Sequence, residues 1–475
     1  MRRPSTVTRF LLAGVPVVLL LGACASDSPT SLDPTVDPAT PTTATTTPTA
    51  ATTTPIGGGG GWIEGEPEWT SASSSESATG DAAAPAMGST ADKAEPPVEM
   101  AESGAAAPDQ PDSADALRAG NVDDNADFVA FLDYLDRIVG LGITTRPFDP
   151  TGRIVVTVSR TNGLPAAGVE VAVTAADGAS IATIRTTADG TARFLPRLYA
   201  EPLAEYTFAA AGTSRTSAPD TTVELAVDGA TQADASVALD VLFLLDATGS
   251  MGDEIERLKI TIDSVAGRIA ALDTTPDVRF GMTLYRDLAD SFVTTTYDFT
   301  GGITEFRSAL DQVVAEGGDD YPEALDEGLA EALGAPSWRD PASTVQLVFL
   351  VADAPPQVGR QVDVTYVQSI ADAVGRGIKV FPIASSESDD QAEAVFRQLA
   401  AATGARFVFL SGGASGAATG SNTDIGSTDY EELALDDLIV RLVSEELAAL
   451  TGVAPAETTP PSTEPTTPPT NPAGQ

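Results

Sequence analysis

The chain has 475 residues, 26 Lys and Arg against 68 Asp and Glu, and a formal net charge of −42. It contains no histidine and one cysteine, which excludes Ser-His-Asp and Cys-His nucleophile systems, His- or Cys-based zinc sites and any intrachain disulfide. So acidic a chain repels phosphate backbones, so no nucleic-acid partner is expected; divalent cations and basic partners are favoured instead.

Arg2, Arg3 and Arg9 form a positive start, and Phe10 to Leu21 is an apolar run interrupted by Pro16. A bilayer span needs roughly 20 apolar residues, so this run reads as an export leader. It ends in Leu21-Gly22-Ala23-Cys24. Small residues before a cysteine at this place resemble the lipobox of bacterial lipoproteins. The resemblance implies a signal peptide over 1–23, lipid attachment at Cys24, and a place on the extracytoplasmic face of the cell membrane. Residues 24–121 are rich in Thr, Pro, Ala, Gly and acid and poor in large apolar side chains. No core can offset their ordering entropy, so they are expected to be a disordered stalk. Residues 453–475 read as a second disordered, Thr/Pro-rich tail.

Between them, 122–149 reads as an amphipathic helix and connector. Asp123, Asp124 and Asn125 are candidate caps, and Phe128, Phe131, Leu132, Leu135 and Ile138 make one apolar face. Packing on the next domain is the expected role of that face, with partner binding as the alternative. Residues 150–237 read as all-β. Ile154–Val158, Val169–Val173, Thr207–Phe208 and Val223–Val227 have strand patterning, and Asp177-Gly178 and Asp189-Gly190 are turn dipeptides. Gly163-Leu164-Pro165-Ala166-Ala167-Gly168-Val169 with Thr187-Ala188-Asp189-Gly190 resembles bacterial Ig-like and carboxypeptidase-regulatory-like sandwiches. That module is expected to be a spacer.

Residues 238–452 change character. Leu239 to Leu245 is almost continuously apolar, as in a strand buried on both faces. Ile255, Leu258, Ile262, Val265, Ile269 and Leu272 then recur at helical spacing. Strands are predicted at 278–285, 293–299, 345–352, 379–384 and 406–410, with helices at 303–315, 321–334, 361–375, 389–402 and 429–450. The alternation predicts an α/β fold with a doubly wound, mostly parallel sheet, whose ligands bind beyond the C-terminal strand ends. Asp246, Thr248 and Ser250 leave the first strand at such an end, and alternate oxygen-bearing side chains there can converge on a hard cation.

This Asp-x-Thr-x-Ser segment resembles the metal-ion-dependent adhesion site of the von Willebrand factor type A domain. Gly317-Gly318-Asp319-Asp320-Tyr321-Pro322-Glu323 resembles that family's third metal segment, and Leu350-Val351-Ala352-Asp353 its fourth strand and terminal Asp. Tyr285-Arg286-Asp287 and Tyr297-Asp298-Phe299-Thr300 fit the same branch. The resemblance implies a metal site of Asp246, Thr248, Ser250, Asp319 and Asp353 holding Mg²⁺, with Mn²⁺ or Ca²⁺ as alternatives. It implies an open coordination position for a carboxylate of a protein or matrix partner. Asp319 stands where many members have Thr; it could instead cap a helix starting near Tyr321, or Asp320 could face the metal. No nucleophile elbow or phosphate loop occurs, so neither catalysis nor a small-molecule substrate is expected. Asp287 and Asp290 are the acids a hydrolytic reading would use. The function expected is metal-dependent adhesion by a lipid-anchored surface protein; the alternative is an envelope scaffold whose metal only stabilises the fold.

Overall fold

The computed structural model describes residues 117–228, 237–272, 275–318, 321–385, 388–412, 430 and 432–452. All belong to the compact unit Ala101–Gln475. The leader, Cys24, most of the stalk, Asp319, Asp320 and the tail lie outside the described residues.

The chain opens with β1 (Arg118–Val122) and α1 (Phe128–Gly140). Seven strands follow: β2 (Ile154–Arg160), β3 (Glu170–Thr174), β4 (Ser180–Arg185), β5 (Thr191–Phe194), β6 (Tyr206–Ala210), β7 (Thr213–Ser217) and β8 (Thr222–Val227). Then strands and helices alternate: β9 (Ala238–Asp246), α2 (Gly252–Ala270), β10 (Asp277–Tyr285), β11 (Thr294–Thr300), α3 (Ile303–Leu310), α4 (Leu325–Gly334) and β12 (Thr344–Ala352). The last elements are α5 (Tyr366–Arg376), β13 (Lys379–Ala384), α6 (Asp390–Thr403), β14 (Phe407–Gly412), β15 (Leu433–Ala434) and α7 (Leu435–Thr451).

The main sheet runs β11-β10-β9-β12-β13-β14-β1-β15. The five strands from β10 to β14 in that order are parallel, and β11, β1 and β15 pair antiparallel at the two sides. From Leu239 to Asp246 every residue of β9 is buried, as a parallel strand covered by helices requires. The apolar stripe of α2 is buried at Ile255, Leu258, Ile262, Val265 and Ile269, so its spacing rather than its propensity orients the helix. Asp240, near the start of β9, is held by Arg279 and Arg339 at 2.8–2.9 Å. It is thereby a paired structural charge near the N-terminal strand end.

Two sequence expectations are corrected at the start of the chain. The stalk was expected to reach 121, yet β1 occupies 118–122 and pairs with β14 and β15. Arg-Ala-Gly-Asn-Val has no alternating pattern to reveal a strand, and its partners lie some 290 residues further on. The helix begins later than its expected caps. Asp127 is the N-cap, accepting from the Ala130 amide at 3.1 Å, whereas Asp124 pairs with Arg397. The inner face of α1, with Phe131, Tyr134 and Ile138, packs on Ala394 and Ala401 of α6. Its site of packing is therefore the main α/β layer rather than the strands that follow it in sequence.

The β-rich segment folds as two small sheets, β5-β2-β8 and β4-β3-β6-β7. Alternation fixes which residues turn inward: Ile154, Val156 and Val158 from one sheet meet Val171, Val173, Tyr206 and Phe208 from the other. Phe194 bridges them, with ring centroids 4.9 Å from Tyr206 and 5.6 Å from Phe208. This module is not a free spacer. Asn125 accepts from Arg153 at 2.9 Å and Arg193 at 3.0 Å while donating to the Ala405 carbonyl at 3.2 Å. Lys379, buried at the start of β13, donates to Asp189 of the module at 3.1 Å and to Glu446 of α7 at 2.6 Å. One buried ammonium thus ties the β-module, the main sheet and the last helix together.

Candidate metal centre

Strand order reverses at β9, whose two neighbours are β10 and β12, so the loops leaving β9 and β12 open a crevice at their C-terminal ends. Asp246 is the last residue of β9 and Asp353 follows the last residue of β12. Both carboxylates are buried, as is Thr248, while Ser250 is exposed at the mouth. Asp246 Oδ1 accepts from the Thr248 amide at 3.0 Å and from its hydroxyl at 2.6 Å. The Thr248 and Ser250 hydroxyl oxygens lie 3.3 Å apart. The structure therefore brings together Asp246, Thr248, Ser250 and Asp353.

Asp246 Oδ2 is buried and, among the described residues, makes no hydrogen bond of good geometry, the nearby Tyr285 hydroxyl included. Burial first, and the Asp353 charge second, push the Asp246 carboxyl up to about 7. The Tyr285 phenol at the end of β10 is raised far above its ordinary value by burial and by the Asp246 charge. Two acids that repel each other at buried strand ends, one with an orphaned oxygen, are an arrangement a divalent cation relieves.

Glu323 is the residue that sequence reasoning quoted but did not assign. It is 3 % exposed, and its Oε2 has no hydrogen-bond partner among the described residues. Burial and then the charges of Asp246, Asp287 and Asp353 push its carboxyl up to about 9. No signal beyond its place after Pro322 marked it among 68 acids. Among the described residues no three carboxylates are gathered closely enough to hold an ion by themselves. The ready donor set is two carboxylates and two hydroxyls, from Asp246, Asp353, Thr248 and Ser250.

The loops are braced around this set. Arg286 donates to the Ala247 carbonyl at 3.1 Å, the Val314 carbonyl at 2.7 Å and the Ser291 hydroxyl at 2.9 Å. The Gly249 amide donates to the Gly317 carbonyl at 3.0 Å. Asp290 Oδ2 accepts from the amides of Asp287 and Gly318 at 3.0 and 3.1 Å. Gly317 and Gly318 both have positive φ, 80° and 70°. A Cβ at Gly317 would collide with Asp290, and one at Gly318 with Thr248 and Glu323, so side chains are excluded on both grounds. Asp287 and Asp290 serve here as loop braces. Tyr297-Asp298-Phe299-Thr300 does not join the site: Asp298 accepts from the amide and hydroxyl of Ser337 instead.

Asp319 lies outside the described residues, so its place in the site is untouched by this geometry. The capping alternative is corrected: α4 begins at Leu325 with Ala324 at its N-cap, not near Tyr321. Residues 321–324 stay out of the helix because Pro322 disfavours a helical residue before it, Tyr321 and Pro322 bend, and Glu323 bridges to Pro356.

The part of the chain that forms this crevice is similar to known proteins. Residues 240–416 match the family model of the von Willebrand factor type A domain. An alpha-protein kinase, vwkA, of Dictyostelium discoideum is 34% identical over 122 residues, 26% of this chain. That match spans about a fifth of the relative's length (19%). Proximal thread matrix protein 1 of the mussel byssus, in a structure with a zinc-occupied MIDAS motif, is 15% identical, with a TM-score of 0.29 over 35% of this chain and 40% of that one. The pilus adhesin SpaC of Lactobacillus rhamnosus GG is 12% identical, with a TM-score of 0.28 over 43% of this chain and 30% of that one. The residues that match the von Willebrand factor type A model, 240–416, thus coincide with those that build most of the α/β sheet around the crevice.

Proposed function

We propose that this protein binds a protein or matrix partner through a divalent cation held at the β9–β12 crevice. The supporting observation is the buried Asp246 carboxylate with its unpartnered oxygen, facing the Asp353 charge and flanked by the Thr248 and Ser250 hydroxyls. These are hard oxygen donors, suited to Mg²⁺ and acceptable to Mn²⁺ or Ca²⁺. Asp246, Thr248, Ser250 and Asp353 hold the ion, and Asp319 completes the set in this reading. The bound ion leaves a position for a carboxylate of the partner. The role is recognition rather than catalysis.

The protein is anchored by lipid at Cys24 on the extracytoplasmic face of the membrane. This part of the proposal is supported by Leu21-Gly22-Ala23-Cys24 after a short apolar run, with Cys24 the only cysteine. A scaffold role in the envelope is the second reading. The many braces on the loops, from Arg286, Asp290 and the two glycines, favour it, since they hold the loops in place without a partner. Capture of surface-extract proteins by the full chain, with Mg²⁺ and with EDTA, tests the first reading against the second. Capture lost in EDTA supports metal-dependent recognition; capture that persists in EDTA contradicts it and leaves the scaffold.

A further inference from the structure

Arg146 lies in the connector between α1 and β2, more than 90 residues before the metal domain begins in sequence. Its side chain is only 11% exposed and pairs with Asp326, which is wholly buried in the first turn of α4. Arg146 Nε donates to Asp326 Oδ2 at 3.2 Å, and the other Asp326 oxygen accepts from the Tyr366 amide at 2.6 Å. The rest of the guanidinium spreads over the loop that follows Asp353. It donates to the carbonyls of Gln357 and Val358 at 3.4 Å and of Arg360 at 3.3 Å. Three carbonyls and a carboxylate around one planar fork are a geometry lysine does not reproduce.

That loop in turn holds the metal crevice. Gln357 Nε2 donates to Asp287 Oδ1 and to the Pro322 carbonyl, both at 3.0 Å. Asp287 and Asp290 form the turn that braces the Gly318 amide, and Pro322 precedes Glu323. The Glu323 amide donates to the Pro355 carbonyl at 3.1 Å. Gln357 therefore grips the metal loops on both sides, before Gly318 and after it, and Arg146 fixes the backbone from which Gln357 reaches.

We infer that Arg146 is a positioning residue for the metal crevice, acting through the 357–360 loop and Gln357, so that the segment preceding the β-module is part of the metal site's support. The inference rests on the metal reading proposed above. Groups that orient a metal site from behind its ligands typically change affinity by 10- to 100-fold when removed. The test is calorimetric titration of the full chain with Mg²⁺ alone, beside its thermal midpoint in EDTA, for wild type, Arg146→Lys and Gln357→Ala. Arg146→Lys keeps a charge opposite Asp326 but loses the carbonyl fork. Gln357→Ala alters a partly exposed loop side chain and keeps the fold even if the Arg146 variant does not. A positioning role weakens Mg²⁺ binding about tenfold in both variants, with the Gln357→Ala midpoint in EDTA nearly unchanged. A structural role alone lowers the midpoint of Arg146→Lys and leaves Mg²⁺ affinity as in wild type; that result, or a normal isotherm for Gln357→Ala, overturns the inference. A wild type with no Mg²⁺ isotherm overturns the metal reading itself, and the inference with it.

Discussion

Replacing Lys379 by Met removes a buried cation that joins the β-module to the main sheet and α7. Lys379 is 3 % exposed, with Glu446 at 2.6 Å and Asp189 at 3.1 Å, so the variant leaves the buried Glu446 carboxylate and the half-buried Asp189 carboxylate without their cation. Breaking a buried pair from one side costs about 3–5 kcal/mol. A unit of about 330 residues has an unfolding entropy near 0.7 kcal/mol/K at ~2.1 cal/mol/K per residue, so the midpoint should fall by ~4–7 °C. Removing Glu446 as well, in Lys379→Met with Glu446→Leu, should recover part of the loss, because fewer uncompensated charges remain. The pH dependence follows from the same three groups. Burial pulls the Lys379 ammonium down, but Glu446 and Asp189 outweigh it and raise it above its ordinary 10.5. Its stabilisation is therefore complete below that value and fades as pH rises through the folded one. Burial raises Asp189, but Lys379, Arg193 and two threonine hydroxyls hold it well below its ordinary 3.8, so its contribution is lost only as pH falls through that depressed value. Differential scanning calorimetry at acidic, neutral and alkaline pH measures both effects. A Lys379→Met midpoint within ~1 °C of wild type at neutral pH would refute the reasoning, since the tie would then carry no net energy.

Three further outcomes are expected. Cys24→Ser should release the protein from the membrane fraction or leave it uncleaved; membrane fractionation that finds the variant matured and still bound contradicts lipid attachment there. Deleting 453–475 should leave Mg²⁺ affinity within about threefold, or ~0.7 kcal/mol, because α7 ends at Thr451 and is tied at Glu446; calorimetric titration checks this. Asp319→Thr should lower Mg²⁺ affinity by removing a negative charge, and raise affinity for a carboxylate-bearing ligand at saturating Mg²⁺; an unchanged Mg²⁺ isotherm removes Asp319 from the site.

What the sequence made legible is what periodicity encodes. The apolar run Leu239–Leu245 and the stripe through Ile255, Leu258 and Ile262 become β9 and α2 within a residue or so at β9. Asp246, Thr248, Ser250 and Asp353 meet because strand ends in a doubly wound sheet converge, and the pattern marks strand ends. What stayed hidden depends on long-range pairing between residues with no pattern of their own. Strand β1 reads as linker until β14 and β15 receive it. Lys379 and Asp189 are 190 positions apart, so the expected spacer module gave no sign of its tie to the base. Arg146 and Gln357 look like ordinary surface polar residues until the loops fold against each other. Glu323 was visible as a letter, but its raised carboxyl depends on burial and on the neighbouring acids, which no sequence pattern shows. The start of α4 was misplaced by four residues for a local reason, the bend at Pro322 and the bridge of Glu323 to Pro356.

The claim on which the account turns is that Asp246 is the centre of a divalent-cation site. Isothermal titration of the 117–452 fragment, which keeps β1, α1 and the β-module with the metal domain, measures it directly, with wild type compared to Asp246→Ala. The account predicts saturable binding of one Mg²⁺ per wild-type chain and none by a folded Asp246→Ala variant; a wild type that binds no Mg²⁺, or an Asp246→Ala variant that binds it as well, would contradict it.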